Sequence, residues 1–389
     1  MKKKLAFIAV AFISTVLLAA CSSPPSVSSS AEGTKIGDTF KLGMNFELTG
    51  SVSAYGSAEK KGAMMAVEEI NKAGGIDGKK IEVISKDNKS DNSESATVAT
   101  SLTTQEKVNA IVGPATSGAV ASSSPSSQLY GVPMVTPSGT MDSLTVTKKG
   151  ETKEYVFRTT FIDSYQGQVL AKFATDDLNA QKVVLYYDNS SDYGKGIAKE
   201  FKKHYQGNIV SEQTFQSGDT DFQSALTNIS KLDFDAIIMP GYYNETGTII
   251  KQARELGIAQ TIAGSDGFAD AKLIELAGSK NATNVYYISG FSAKSSPKAE
   301  AFAKAYADKY GEEASMFAAL GYDSVYMIAD AAKGADDSKD VAKALATLKD
   351  FDGVTGKMTM NTKHNPVKSV PVIGLTDGQE SSSVIVNPD

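Results

Sequence analysis

The chain has 389 residues, 45 of them acidic against 39 basic for a net charge of −6, with two histidines, one cysteine and no tryptophan. Acidity of this kind argues against nucleic acid, which wants a basic face, and a single cysteine excludes an intrachain disulfide. The length exceeds one common domain and points to two; no internal repeat of 20–50 residues stands out.

At the amino terminus, Lys2-Lys3-Lys4 precede the apolar run Leu5–Ala20 and then Cys21. A basic start, a short apolar stretch and small residues before a cut read as a secretory signal over residues 1–20, too short for the ~20 residues of a membrane-spanning helix. Leu18-Ala19-Ala20-Cys21 resembles the lipobox of bacterial lipoproteins, which implies cleavage before Cys21 and lipidation of its thiol. Residues 21–37 are rich in Ser with Pro24-Pro25 and serve as lipid anchor and flexible tether. Removing residues 1–20 takes three of the 39 basic residues and no acid, so 36 remain against 45, a net of −9.

Beyond the tether, strand and helix alternate. Phe40, Leu42, Met44 and Phe46 alternate through a strand, and Ala58–Lys72 carries Ala63, Ala66, Val67 and Ile70 at helical spacing before Gly74-Gly75 stops it. Strand Ile81–Ser85, a helix over Ser93–Val108, strand Ala110–Gly113, a helix opened at Ser117 and strand Pro133–Thr136 follow. Pro125 should kink that last helix or delay its start. After Val156-Phe157-Arg158 the alternation restarts: helix Asp163–Leu178, strand Lys182–Tyr187, helix Ser191–His204, strand Ile209–Phe215, helix Asp221–Leu232 and strand Asp235–Met239. Helix Glu245–Leu256, strand Thr261–Gly264, short helix Asp270–Leu276 and strand Val285–Ser289 complete the second series. Helices Lys298–Tyr310, Ser315–Ala332 and Ser338–Leu348 come next, with short β pieces at Lys357–Met360 and Ser369–Leu375. Two series of βαβ units imply two parallel sheets wrapped by helices.

The usual agents of catalysis are scarce. His204 at a helix end and His364 in a polar turn read as solvated surface residues, neither beside metal-ligand partners. No Walker A, G-x-S-x-G or G-x-G-x-x-G stretch is present, so neither a metal nor a cofactor is expected, and the chain does not read as an enzyme. What remains is a set of polar and aromatic residues where strands end. Ala110–Gly113 and Pro133–Thr136 empty into Ser117 and into Ser138 and Thr140. Ligands of open α/β sheets bind beyond the carboxyl ends of strands, and helix starts favour anions; the alternative is that these hydroxyls only cap helices. Tyr193, Tyr242-Tyr243 and Asp266 hold the matching places after second-series strands, each with its own reading as a packing, turn or cap residue. Taken together, one rim offers hydroxyls to a carboxylate and the other a carboxylate to an ammonium, which is an α-amino-acid site.

The order and spacing of several stretches resemble the branched-chain amino-acid (Leu/Ile/Val) binding proteins of ABC importers. They are Ala54-Tyr55-Gly56 with Gly62 and Ala66, Ala73–Gly78, Val112-Gly113-Pro114 with Ser117, Thr136–Thr140, Asp163–Gly167, Asp192–Gly196 and Gly241–Tyr243. The resemblance covers nearly all of residues 38–376. It implies a two-lobed type I periplasmic-binding-protein fold, each lobe a parallel sheet flanked by helices, joined by a three-stranded hinge. The chain would cross near Phe161-Ile162, Phe291 and Lys368, making lobe 1 of residues 38–162 and 292–368 and lobe 2 of 163–291 and 369–389. It also implies that Ser117, Ser138 and Thr140 hold the ligand carboxylate, Asp266 and Tyr242 its ammonium, and Tyr55, Tyr193 and Phe317 its side chain. Those relatives carry Trp where this chain has Tyr55 and tend to have Glu where it has Asp266, changes that alter pocket depth.

The reading is an exported, monomeric solute-binding protein, lipid-anchored at Cys21 to the outer face of the bacterial cytoplasmic membrane. It captures an aliphatic amino acid and delivers it to the permease subunits of an ABC transporter; the alternative is a binding or sensor component for another small amino acid, amide or carboxylate. Cys21→Ser should move the protein from the membrane fraction to the soluble fraction while leaving ligand binding intact; retention in the membrane fraction would refute the anchor.

Overall fold

The computed structural model describes residues 31–387 apart from Ser369, so the signal, the Leu18–Cys21 box and most of the tether lie outside the described residues. The chain opens with β1 (Thr39–Phe46), α1 (Ser53–Lys72), β2 (Lys80–Asp87), α2 (Asn92–Thr104), β3 (Ala110–Val112), α3 (Ser117–Tyr130), β4 (Met134–Thr136) and β5 (Val156–Arg158). A second run holds α4 (Asp163–Lys172), β6 (Lys182–Asp188), α5 (Asp192–His204), β7 (Asn208–Phe215), α6 (Gln223–Ile229), β8 (Ala236–Met239) and α7 (Tyr243–Glu255). It continues with β9 (Thr261–Gly264), α8 (Ala271–Ala277) and β10 (Val285–Ile288). Then come α9 (Pro297–Tyr310), α10 (Met316–Ala331), α11 (Ser338–Ala346), β11 (Phe351–Gly353), β12 (Gly356–Met360), β13 (Pro366–Val367), β14 (Pro371–Thr376) and β15 (Gln379–Ile385).

The first sheet runs β2-β1-β3-β4-β5, all parallel. The second runs β15-β14-β10-β9-β8-β6-β7. Counted from β6, its parallel strands repeat the first sheet's order, with the second strand outside the first and the rest in sequence. That order places a switch point between β1 and β3 in one sheet and between β6 and β8 in the other, where connections leave in opposite directions and open a crevice at the carboxyl ends. The central strands are buried on both faces, as β3, β4, β8 and most of β6 show, and they therefore read as unbroken apolar runs rather than alternating ones. Both sheets are parallel through their βαβ series, as expected, and the second adds two antiparallel strands at its edge: β14 pairs with β10, and β15 with β14.

Several local features depart from the sequence pattern for identifiable reasons. Helix α1 starts at Ser53 rather than Ala58, although its cap residue Val52 offers no side-chain hydrogen bond; contacts of Tyr55 beyond the helix, described below, hold the extra turn. Pro125 neither breaks nor delays α3. The carbonyl of Ala121, which a residue-125 N–H would have occupied, accepts instead from the Ser124 hydroxyl at 3.2 Å. His364 is buried rather than solvated, its ring stacked 4.2 Å from that of Phe157 and its Nδ1 3.1 Å from the Val156 carbonyl. Helix Asp163–Leu178 ends in a π-helical turn at Phe173–Asp177.

Helix α10, late in sequence, packs against α1, β3 and β4 and so completes the layer over the first sheet. Its contact with α1 uses Gly62 and Gly321: a Cβ on either would run into the facing helix's backbone, at Ala318 and Glu59 respectively. Gly62→Ala and Gly321→Ala should each lower stability by about 1–3 kcal/mol in chemical denaturation through overpacking. Gly37→Ala, which meets nothing within 4 Å, should not; equal stability of all three would refute the close helix contact.

Candidate functional site

The carboxyl ends of the two sheets face one cavity, and all eight residues singled out in the sequence line it: Tyr55, Ser117, Ser138, Thr140, Tyr193, Tyr242, Asp266 and Phe317. The cavity is narrow, its walls closely apposed, so a small guest fits best.

On the first rim, α3 begins at Ser117 and presents the unpaired N–H groups of its first turn. Ser117 Oγ accepts two backbone N–H bonds, from Thr140 and Met141, both at 3.1 Å. A hydroxyl has two acceptor sites and one hydrogen, so Ser117 keeps only its hydrogen to give. Thr140 is buried, and its hydroxyl lies against the Asp163 carboxyl. Arg158 fixes the loop that carries Ser138 and Thr140: its guanidinium is buried and donates to the carbonyls of Gly139 and Met141, each at 2.9 Å. The result is a pocket wall that offers hydrogens and the positive end of a helix. Its chemistry suits a carboxylate.

On the second rim, Asp266 opens a short 3-10 turn directly after β9 and is buried. Its backbone N–H donates to Gln166 Oε1 at 3.0 Å, and its Oδ1 accepts from the Tyr193 hydroxyl at 2.5 Å. Burial raises its carboxyl pKa to about 6, with the Tyr193 bond pulling the other way. Asp163 stands nearby; burial drives its carboxyl well above the usual range, the Thr140 hydroxyl and Arg158 oppose the shift, and Asp266 adds to it. This wall suits a cation.

Between the rims the aromatic side chains pair off. Tyr193 stacks on Tyr242 with centroids 4.8 Å apart, and Tyr55 on Phe317 at 4.2 Å. Tyr55 also spans the cavity: its hydroxyl donates to the Gly267 carbonyl at 2.6 Å and accepts the Tyr243 N–H at 3.0 Å. Tyr243 returns the link by accepting the Ala54 N–H at 3.3 Å.

Sequence reasoning passed over two buried glutamates behind the first rim. Glu47, just past β1, accepts the N–H groups of Ala115 and Thr116 and the Thr116 hydroxyl. Glu59, on α1, lies in hydrogen-bonding contact with Ser138. The signal was available for Glu59, since it stands four residues after Tyr55 and three before Gly62, on the apolar stripe of the helix. Among the described residues no group of three or more His, Cys, Asp or Glu is placed to hold a metal, and no helix is long and apolar enough to cross a membrane.

Comparison with known proteins identifies the family and fold. A family described as periplasmic binding protein matches residues 39–379. The crystal structure of the branched-chain amino-acid transporter substrate-binding protein LivJ from Streptococcus pneumoniae, in complex with isoleucine, is similar with a TM-score of 0.87 and 52% identity. It covers 90% of this chain and all of that one. The Leu/Ile/Val-binding protein BraC3 of Rhizobium johnstonii is 32% identical over 324 residues, 82% of this chain and 86% of its own length. The leucine-, isoleucine-, valine-, threonine- and alanine-binding protein of Pseudomonas aeruginosa is 29% identical over 334 residues, 84% of this chain and 87% of its own.

Burial of Asp266 carries a stability consequence. A carboxyl whose pKa rises from 3.8 unfolded to about 6 folded favours the folded state below pH 4, and that advantage is lost as pH climbs through 6. The ligand-free Asp266→Asn protein should therefore be more stable than the parent at pH 7 by up to about 3 kcal/mol, with the difference opening between pH 4 and 6. A constant difference across that range in denaturant titrations would refute the raised pKa.

Proposed function

Because the chain belongs to the periplasmic binding protein family, we propose that its cavity captures a free aliphatic α-amino acid, of the leucine, isoleucine and valine class, for delivery to an ABC transporter permease. The observation that carries this reading is the polarity of the cavity. Hydrogen donors and a helix start line one rim, and the buried Asp266 carboxylate waits on the other. A zwitterion that leaves water must find a partner for each charge, and these two walls supply one apiece. The aromatic pairs between them suit an aliphatic side chain. Relatives named for leucine, isoleucine and valine binding, among them one crystallised with isoleucine, support the same class.

Closure would be a hinge motion of two lobes, with lobe 1 formed by residues 38–162 and 292–368 and lobe 2 by 163–291 and 369–389. The membership of β14 and β15 in the second sheet, and the packing of α10 on α1, support that division. In this reading Ser117, Ser138 and Thr140 hold the carboxylate, and Asp266 with Tyr242 holds the ammonium. Tyr55, Tyr193 and Phe317 enclose the side chain. The protein acts as an exported monomer tethered by lipid at Cys21.

Calorimetric titration of the refolded, ligand-free protein lacking residues 1–21 tests the site. Asp266→Ala should weaken leucine binding by roughly 30- to several-thousand-fold, the cost of stranding a buried charge, whereas Asp192→Ala in the neighbouring exposed turn should change it little. Because a proton competes with the ammonium for Asp266, parent affinity should fall as pH drops below about 6 and level off above 7, a dependence absent from Asp266→Asn. Each methylene removed from the ligand should cost roughly 0.8 kcal/mol. Parent-like leucine binding by Asp266→Asn would reject the assignment.

A further inference from the structure

Ser138 Oγ has two oxygen neighbours at hydrogen-bonding distance, the Ala115 carbonyl at 2.9 Å and Glu59 Oε1. A hydroxyl carries one hydrogen. Were Glu59 ionised, both neighbours would be pure acceptors competing for that hydrogen, and none would remain for a guest. The carbonyl cannot supply a second hydrogen, but a carboxylic acid can. The partners of the two adjacent glutamates point the same way. Glu47 is served by three donors, which suits a carboxylate. Glu59 meets only the Ser138 hydroxyl, and its Oε2 is buried without any partner. Two neighbouring carboxyl groups in such unequal surroundings take different protonation states.

We propose that Glu59 is a positioning residue held as a neutral carboxylic acid, whose hydrogen is donated to Ser138 Oγ so that the Ser138 hydroxyl hydrogen, shared with no carboxylate of the protein, can turn from the Ala115 carbonyl to the ligand's carboxylate. The inference rests on the amino-acid reading above. The surroundings of Glu59 leave nothing to stabilise its charge. Across the contact of the two helices, Gly321 of α10 lies against the backbone of Glu59 and Ala318 against Gly62. Of the two acids of α10, Asp323 is turned to Val354 and Thr355 and Asp330 pairs with Lys333. Burial holds the Glu59 carboxyl well above the usual range, against the Ser138 bond, and the like charge of Glu47 adds to the shift. An ionised Glu59 would also set a second negative charge behind the ligand's carboxylate.

The test combines rescue with a direct reading of the proton. Glu59→Gln keeps a donor toward Ser138 and should bind isoleucine within about threefold of the parent. Glu59→Leu removes the donor and should bind about 10- to 100-fold more weakly, the worth of one hydrogen bond to a charged group. Infrared difference spectra between parent and Glu59→Gln at pH 7 should show a protonated carboxyl band lost in the variant. Parent-like binding by Glu59→Leu, or an ionised carboxylate band in the difference spectrum, would overturn the proposal. Should Glu59→Leu fail to fold, the infrared band decides. A parent that binds no amino acid would remove the function proposed above, and the infrared reading would still settle the proton on Glu59.

Discussion

A single phenol holds the cavity shut. The Tyr55 hydroxyl gives its hydrogen to the Gly267 carbonyl and receives the Tyr243 N–H, so two backbone groups of the second half are satisfied by a side chain of the first. Stacked aromatics flank it on either side, and Tyr55, Tyr193 and Phe317 are buried. In that buried space every polar group must be accounted for, because hydrogen bonds strengthen and orphans become costly together. The remaining features of the site follow from this burial: Ser117 with both acceptor sites filled, Thr140 set against a buried acid, and carboxyl groups displaced from their ordinary titration range.

Three buried acids show how the fold manages charge without water. Glu47 and Asp323 are each surrounded by two backbone N–H groups and a threonine hydroxyl. Both anchor connections between elements and have no need of a guest. Glu59 is served less fully, by the Ser138 hydroxyl alone. Incomplete service inside a sealed cleft costs stability, and such costs are tolerated where a site needs a group to be available.

Much of this architecture was legible in the sequence because the strand-end rule reads directly from apolar runs. Ala110–Val112 and Ala236–Met239 are short and unmistakably apolar, so Ser117 and Tyr242 fall just beyond them. What escaped was what depends on distant partners. Glu59 looks like any helical glutamate until α10, more than 250 residues later, covers it. His364 looks solvated among polar neighbours until Phe157 stacks on it. Pro125 looks like a breaker until the Ser124 hydroxyl takes up the free carbonyl. The antiparallel strands β14 and β15 carry glycine and serine rather than a clean apolar alternation, and only β10 gives them a template. The amino-acid class itself came from matched charges at two strand ends, whereas the motif resemblance supplied the family.

The dependence of α1 on α10 sets the order in which the chain can become stable. The first five strands and their helices are complete by Arg158, yet one flank of that layer stays open until residues 316–331 arrive. Closing a loop of that span brings an entropic penalty that local contacts cannot offset in advance, and folds dominated by such distant pairings organise slowly. The second half interrupts the first in sequence, and its seven-stranded sheet in turn waits for β14 and β15 near the carboxyl end. Neither half can finish early. The protein is therefore built to remain loose through most of its synthesis and to condense late, with the cleft assembled at the same moment as the two walls that form it.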